Sequence, residues 1–145
     1  MVRGRFGMIG TYQSNGRMPP AERYRMGGIS GFDIMRGYDD YYIVPDENIE
    51  TYSDGREYRF PGGKYLLAMT MELQFPVVEP LYGALFIDAG DTWNSGYDMS
   101  LSGLKFGAGM GVTMEVPMLG PIGLYYAYGF ERKKWKTHFA FGPQF

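Results

Sequence analysis

The sequence predicts an all-β protein, an antiparallel transmembrane β-barrel segment of about six strands. Three observations lead to this fold class. Residues alternate with a period of two along several segments, and few stretches show the period of a helix. Glycine makes up 22 of 145 residues and aromatic residues 17%, a combination that favours long strands, tight turns and aromatic side chains at a membrane interface. The alternating segments run for about 10 to 13 residues, whereas soluble strands have about 5 to 6 and a membrane-crossing strand needs about 9 to 11.

Six segments show the alternation, and each has an apolar, often aromatic face and a face of small or isolated charged residues. In order they are VRGRFGMIGTYQ, YLLAMTMELQF, LYGALFIDAGDTW, LKFGAGMGVTMEV, IGLYYAYGFE and KTHFAFGPQF. The fourth is the clearest, because Phe106, Met110 and Val112 share one face and the other face is mostly glycine. The last, residues 136–145, is predicted as the terminal strand. Small residues opposite each apolar face indicate that something packs closely against that side.

The connections between these segments are unequal. PVVEP, PMLGP and ERKKW are short, whereas residues 14–62 and 94–103 are long. Alternating short turns and long loops are typical of outer-membrane barrels, although ERKKW is short where a long loop is expected. A soluble antiparallel barrel or sandwich also alternates apolar and polar residues. A soluble β-barrel ligand-binding protein is therefore the alternative from another class.

Composition excludes several functions. A net charge of -2, from 14 basic and 16 acidic residues, gives no argument for nucleic-acid binding. The absence of cysteine and the single histidine, His138, leave no thiolate or multi-histidine metal site. Asp88 and Asp91 differ in parity, which disfavours a catalytic carboxylate pair, so neither an enzyme nor a cofactor is expected. Because MVRGRFGMIG lacks the apolar core of a secretory signal, the natural N-terminus is expected upstream.

The segment ERYRMGGISGFDIMRGYDD resembles the sixth extracellular loop of the BamA superfamily of outer-membrane assembly and secretion barrels. That loop carries an arginine-glycine-aromatic motif, usually after valine or leucine, and the chain reads Met35-Arg36-Gly37-Tyr38. PGGKYLLAMTMELQFPV, GALFIDAGDTW and GAGMGVTMEVPMLGPIGLYYAYGF resemble the strands that follow, and a terminal phenylalanine closes the chain. The resemblance spans nearly the whole chain. It implies that residues 1–145 are the C-terminal part of an outer-membrane β-barrel domain, the last six strands of a sixteen-strand barrel, without the first ten strands and the POTRA domains.

The resemblance also implies a docking site. The loop would fold back into the barrel lumen, where Arg36 would reach Glu72 and Asp88. Parity agrees independently, because both acids lie on the non-lipid face of adjacent strands, and a carboxylate facing hydrocarbon is costly. The alternative is that Arg36 is an exposed loop charge, like Arg23 and Arg25.

Two further sets of residues are candidates. Gly107, Gly109 and Gly111 share one face, and they form either a trough that receives the loop or a point of strand curvature. By resemblance, the terminal strand pairs weakly with the first strand of the barrel, at a seam that opens for client strands. Its candidate residues are Phe139, Phe141, Gly142 and Phe145. The alternative is a plain edge strand.

These features lead to an expected function. The chain is expected to belong to a factor that folds and inserts β-barrel proteins in the outer membrane of a Gram-negative-type bacterium. The expected partners are the lipid bilayer, client β-barrel proteins, assembly-complex lipoproteins, upstream POTRA domains and, for this portion alone, other copies of itself. The alternative within the superfamily is a two-partner secretion or translocation-type polypeptide transporter.

Overall fold

The computed structural model describes residues 2–9, 19–29 and 34–142, and its main feature is one six-stranded antiparallel sheet. The strands are β1 (Val2–Met8), β2 (Ile49–Thr51), β3 (Glu57–Arg59), β4 (Tyr65–Val78), β5 (Leu81–Trp93), β6 (Lys105–Val116), β7 (Gly120–Gly129) and β8 (Lys134–Phe141). The sheet order is β1-β4-β5-β6-β7-β8, and β2 pairs with β3 in a separate hairpin. Short 3-10 helices cover Pro20–Glu22, Asp46–Asn48 and Leu101–Gly103. In these ranges no helix is both long and apolar enough to cross a membrane.

The predicted fold class is confirmed, since the sheet is antiparallel and its strands follow one another in sequence. The central strands β4 to β7 have 10 to 14 residues. The terminal strand begins at Lys134 rather than at residue 136 and ends at Phe141, and Phe145 lies outside the described residues. The connection predicted over residues 14–62 contains the β2–β3 hairpin. Among the described strands β1 and β8 are not paired, so the sheet is open.

The register of the sheet brings separate polar residues together on one face. Glu72 pairs with Phe86 across β4 and β5, and Asp88 follows two residues later on the same face of β5. On the next strand Gly107 lies opposite Asp88, and Gly129 lies opposite Gly107. Because directly paired residues point to the same side of a sheet, all five belong to one surface, called here the inner face.

The two faces of the sheet differ sharply in exposure. Met71 is 60% exposed and Ile87 54%, whereas their chain neighbours Glu72 and Asp88 are 6% and 0% exposed. The other face, called here the outer face, exposes an apolar row on every strand. Its exposed residues include Phe6, Met69, Leu73, Leu85, Phe106, Met110, Val112, Leu124, Tyr126, Trp135, Phe139 and Phe141. An apolar surface of this extent suits hydrocarbon rather than water.

The inner face is covered by the long connection between β1 and β4. Met26, Met35, Tyr38 and Ile43 from this connection are fully buried and form a cluster with Leu66 of β4. The segments that carry them are held by backbone hydrogen bonds, such as that from Met26 to the carbonyl of Ile43. The core of the described structure therefore lies between the sheet and its own loop.

Candidate functional site

The loop motif docks on the inner face through Arg36. Its Nε and Nη2 donate to the two oxygens of Asp88, each at 2.8 Å, and its Nη1 donates to Oε2 of Glu72 at 2.5 Å. The Arg36 backbone N–H also donates to Asp88, at 3.0 Å. The structure thus brings together the three residues that the sequence analysis paired.

Each oxygen of the Asp88 and Glu72 carboxylates accepts at least one hydrogen bond. Asp88 accepts three hydrogen bonds from Arg36, and the second oxygen of Glu72 accepts one from Nε2 of Gln74 at 2.6 Å. Burial by itself would lower the pKa of Arg36, but hydrogen bonds and attraction to Asp88 and Glu72 outweigh it, so this pKa lies above its ordinary value. A buried ion pair in which every carboxylate oxygen accepts a hydrogen bond is costly to break, because removing one partner leaves a buried charge without its counter-charge.

Aromatic rings form the floor beneath the guanidinium. Cζ of Arg36 lies 3.4 Å from the centre of the Phe86 ring and 5.3 Å from that of Tyr125. A Cβ added at Gly109 would lie 2.9 Å from Phe86, and one at Gly111 would lie 2.3 Å from Tyr125. At these two glycines of the predicted trough, the missing side chains leave room for the rings on which the Arg36 guanidinium lies.

Backbone meets backbone at the third glycine. A Cβ at Gly107 would lie 2.0 Å from the carbonyl oxygen of Arg36, and one at Gly129 would lie 2.5 Å from that of Gly37. Gly37 itself has φ +94, and its added Cβ would lie 2.8 Å from the Gly129 nitrogen. Glycine is required on both sides of this contact. Gly129 is not among the residues predicted from the sequence, although a small residue on the non-apolar face of the alternating segment was a usable signal.

The flanking motif residues fill the space beside the ion pair. Met35 and Tyr38 are fully buried, which accounts for an apolar and an aromatic residue at these positions. The Tyr38 hydroxyl donates to the carbonyl of Phe106 at 2.9 Å and accepts from the N–H of Glu131 at 3.3 Å. Burial raises the pKa of Tyr38, which favours the protonated phenol that donates this hydrogen bond.

A second charged group fastens a later part of the loop. Nζ of Lys105 lies 3.0 Å from Asp91 and 3.2 Å from Asp46, which begins a 3-10 helix in the connection. Lys105 is 7% exposed and Asp91 6% exposed. Neither Lys105 nor Asp46 was singled out, because nothing in the local sequence pairs a strand lysine with a loop aspartate.

The loop also contacts the terminal hairpin. The N–H of Gly37 donates to Nε2 of His138 at 2.9 Å, and Asp39 pairs with Arg132 and Lys136. Phe139 and Phe141 point to the outer face, 55% and 69% exposed. Gly142 donates to the carbonyl of Pro121 at 2.9 Å with φ +81. The contact of His138 with the loop is not among the contacts predicted from the sequence.

No metal centre is built into this site. Within residues 2–9, 19–29 and 34–142, no three side chains of His, Asp or Glu come together as ligands for an ion. Glu72 and Asp88 are instead occupied by the arginine. The chemistry of the site is the binding of a polypeptide loop by charge and by close backbone contact.

An antiparallel sheet of long strands, apolar outside and charged inside, with its own loop on the charged face, is a portion of a membrane β-barrel. The chain belongs to the Omp85 superfamily, whose domain model matches residues 1–145. It is also similar to the outer envelope protein 80, chloroplastic, of Arabidopsis thaliana, with 30% identity over 135 residues. That match covers 88% of the chain and 15% of the plant protein, so the chain spans about 15% of this relative's length. The predicted superfamily is confirmed; its members are outer-membrane proteins and include insertion and translocation factors.

Proposed function

We propose that this chain is the C-terminal barrel portion of a BamA-type assembly factor, which folds and inserts β-barrel proteins into the outer membrane of a Gram-negative-type bacterium. The observation that carries the proposal is the docking of Arg36 on Glu72 and Asp88, which keeps the loop on the inner face while β8 stands at the edge of the sheet. POTRA domains, lipoprotein partners and the remaining strands would belong to the longer protein.

In the proposed mechanism, β8 acts through its backbone. Among the described strands it pairs only with β7, so one row of its N–H and C=O groups faces away from that pair. Such a row can add an incoming strand by β-augmentation, in which main-chain hydrogen bonds supply the affinity. In the sequence, Pro143 has no N–H to donate to a strand ladder. Client strands would then pair one after another, starting at this edge, within the bilayer and without a cofactor.

Photo-cross-linking in the full-length protein tests the proposal. A photoreactive residue replaces Phe139 on β8, and a matched control replaces Ile87 on β5. Both side chains lie on the outer face with similar exposure, 55% and 54%, but β5 is paired on both sides by β4 and β6. During synthesis of a client barrel, we expect cross-links to the client from position 139 and not from position 87.

Two results would contradict the proposal. Equal cross-linking at both positions would mean that the outer face contacts clients without any role for the edge of β8. Cross-linking of a passenger polypeptide to a probe at Gln74, which lies at the inner face beside Glu72, with none at position 139, would indicate a polypeptide transporter instead.

A further inference from the structure

The terminal strand is held by two sets of contacts. On one side it pairs with β7, from Ile122 opposite Phe141 to Gly129 opposite Lys134. From the inner face it is held by the loop, through the hydrogen bond from Gly37 to His138 and the ion pairs of Asp39. These contacts are separate from the Arg36 site, because the hydrogen bonds of the Arg36 side chain reach β4 and β5.

The hydrogen bond between Gly37 and His138 is the stronger of the two loop contacts. His138 is 5% exposed, so separating the pair leaves a buried acceptor and a buried donor without partners, which costs more than the bond itself contributes. The ion pairs of Asp39 are more open, since the side chains of Asp39, Lys136 and Arg132 are 47%, 32% and 22% exposed. Partly solvated pairs contribute less, so Asp39 supports the contact that His138 dominates.

The loop residues on the two sides are neighbours in the chain. Arg36 bonds to β4 and β5, and Gly37, the next residue, bonds to β8. Asp39, two residues further on, reaches the turn before β8 and the strand itself. The close backbone contact of Gly37 with Gly129 leaves little room for one end of this segment to move without the other.

We propose that His138 and Asp39 form a clasp through which the docked loop holds the terminal strand, so that undocking of Arg36 also loosens β8. His138 and Asp39 are positioning residues in this proposal, and the clasp does not depend on which polypeptide the barrel handles. Where β8 does open for a client, the loop would set when it opens.

Hydrogen exchange of the full-length protein in detergent micelles, without any client, tests the clasp. The readout is the exchange of the backbone amides that pair β7 with β8, compared with those that pair β4 with β5. His138→Phe keeps a ring and removes the acceptor, whereas His138→Gln keeps an acceptor near the place of Nε2. Arg36→Gln releases the loop from a distance, and Asp39→Asn removes only the half-exposed charge.

The control is Asn48→Ala, which removes hydrogen bonds from Asn48 to Pro61 and Asn94 and leaves every contact with β8 intact. We expect His138→Phe and Arg36→Gln to raise β8 exchange at least about fivefold, the factor for one lost hydrogen bond. Asp39→Asn should raise it less, and His138→Gln and Asn48→Ala should leave it near the wild-type rate.

The proposal is overturned if Arg36→Gln speeds exchange in the loop while β8 keeps its wild-type rate. It is equally overturned if His138→Gln loosens β8 as much as His138→Phe, because an acceptor at position 138 would then make no difference and the hydrogen bond from Gly37 would not be what holds the strand. Should either His138 variant fail to fold, the ordering of Arg36→Gln, Asp39→Asn and Asn48→Ala decides the question. Since no client is present, this result is independent of the cross-linking test of the assembly function.

Discussion

Replacing Asp88 by asparagine perturbs the docking site with the smallest change in shape. Asp88 is 0% exposed and accepts from the backbone N–H, Nε and Nη2 of Arg36. Asparagine offers one oxygen and turns an NH2 group toward one of these donors. At least one charge-assisted hydrogen bond is lost, worth about 1.5 to 3 kcal/mol.

The total effect on the full-length protein can be bounded. Breaking a buried pair by removing one partner costs about 3 to 5 kcal/mol, but Glu72 still balances the charge of Arg36 at 2.5 Å. We therefore expect Asp88→Asn to lower the free energy of unfolding by about 3 kcal/mol. Glu72→Gln removes the partner of a single Arg36 bond, so its effect should be about half as large, near 1.5 kcal/mol.

Urea unfolding of the protein in lipid vesicles, followed by the loss of the heat-modifiable band on gels, measures both variants. Asp54→Asn is the matched control, because Asp54 also pairs with an arginine, Arg56, but at an exposed site. It should leave the urea midpoint unchanged. A wild-type midpoint for Asp88→Asn, or a larger loss for Glu72→Gln than for Asp88→Asn, would refute the assignment of Asp88 as the main anchor of the loop.

Three other substitutions give further predictions. Arg36→Lys keeps the positive charge but loses the planar guanidinium fork. The extent of protease cleavage of the loop in intact cells should therefore lie between that of the wild type and that of Arg36→Gln. An extent of cleavage equal to that of Arg36→Gln would show that charge alone contributes nothing to docking. Gly107→Ala should also expose the loop to protease, because the added Cβ would lie 2.0 Å from the Arg36 carbonyl oxygen. Gly4→Ala is the control and should not expose the loop, because its added Cβ would have nothing within 4 Å. A wild-type cleavage pattern for Gly107→Ala would contradict the close contact. Ile87→Arg on the outer face should lower the free energy of unfolding in vesicles by about 2 to 4 kcal/mol if residue 87 lies at the bilayer midplane. An unchanged urea midpoint would argue against contact of this face with lipid.

Periodicity predicted the faces of the sheet well, for a physical reason. The outer face is apolar and exposed and the inner face packs against the loop, so successive residues differ strongly in chemistry, as Met71 and Glu72 do. Parity alone then put Glu72 and Asp88 on one face. Their spacing depends on register, in which a slip by one residue would reverse the faces of β4, and the sequence alone does not give that register.

The loop contacts were less predictable, because loop residues have no period to read. The placement of Arg36 came from the resemblance of its motif to a family loop, not from any local pattern. The partners of Gly37 and Asp39 stand 101 and 97 positions further along the chain, so no short window contains both members of either pair. Gly129 and His138 were within reach of an argument from small and polar residues on the inner face, but their loop partners were not.

The energetics of the site indicate that the loop is held in an all-or-none manner. A loop fixed by exposed charges could shift gradually, since each solvated pair contributes about 0 to 1 kcal/mol. Arg36 instead fills a buried position, where every oxygen of its two carboxylate partners accepts a hydrogen bond. The backbone of the loop also lies in close contact with Gly107 and Gly129. An intermediate position would strand both carboxylates in the interior and keep neither backbone contact, so its population should be small. A terminal strand that depends on such a loop would likewise be either held or released. Under the proposed assembly function, this behaviour would keep the edge of β8 closed until a client strand pairs with it.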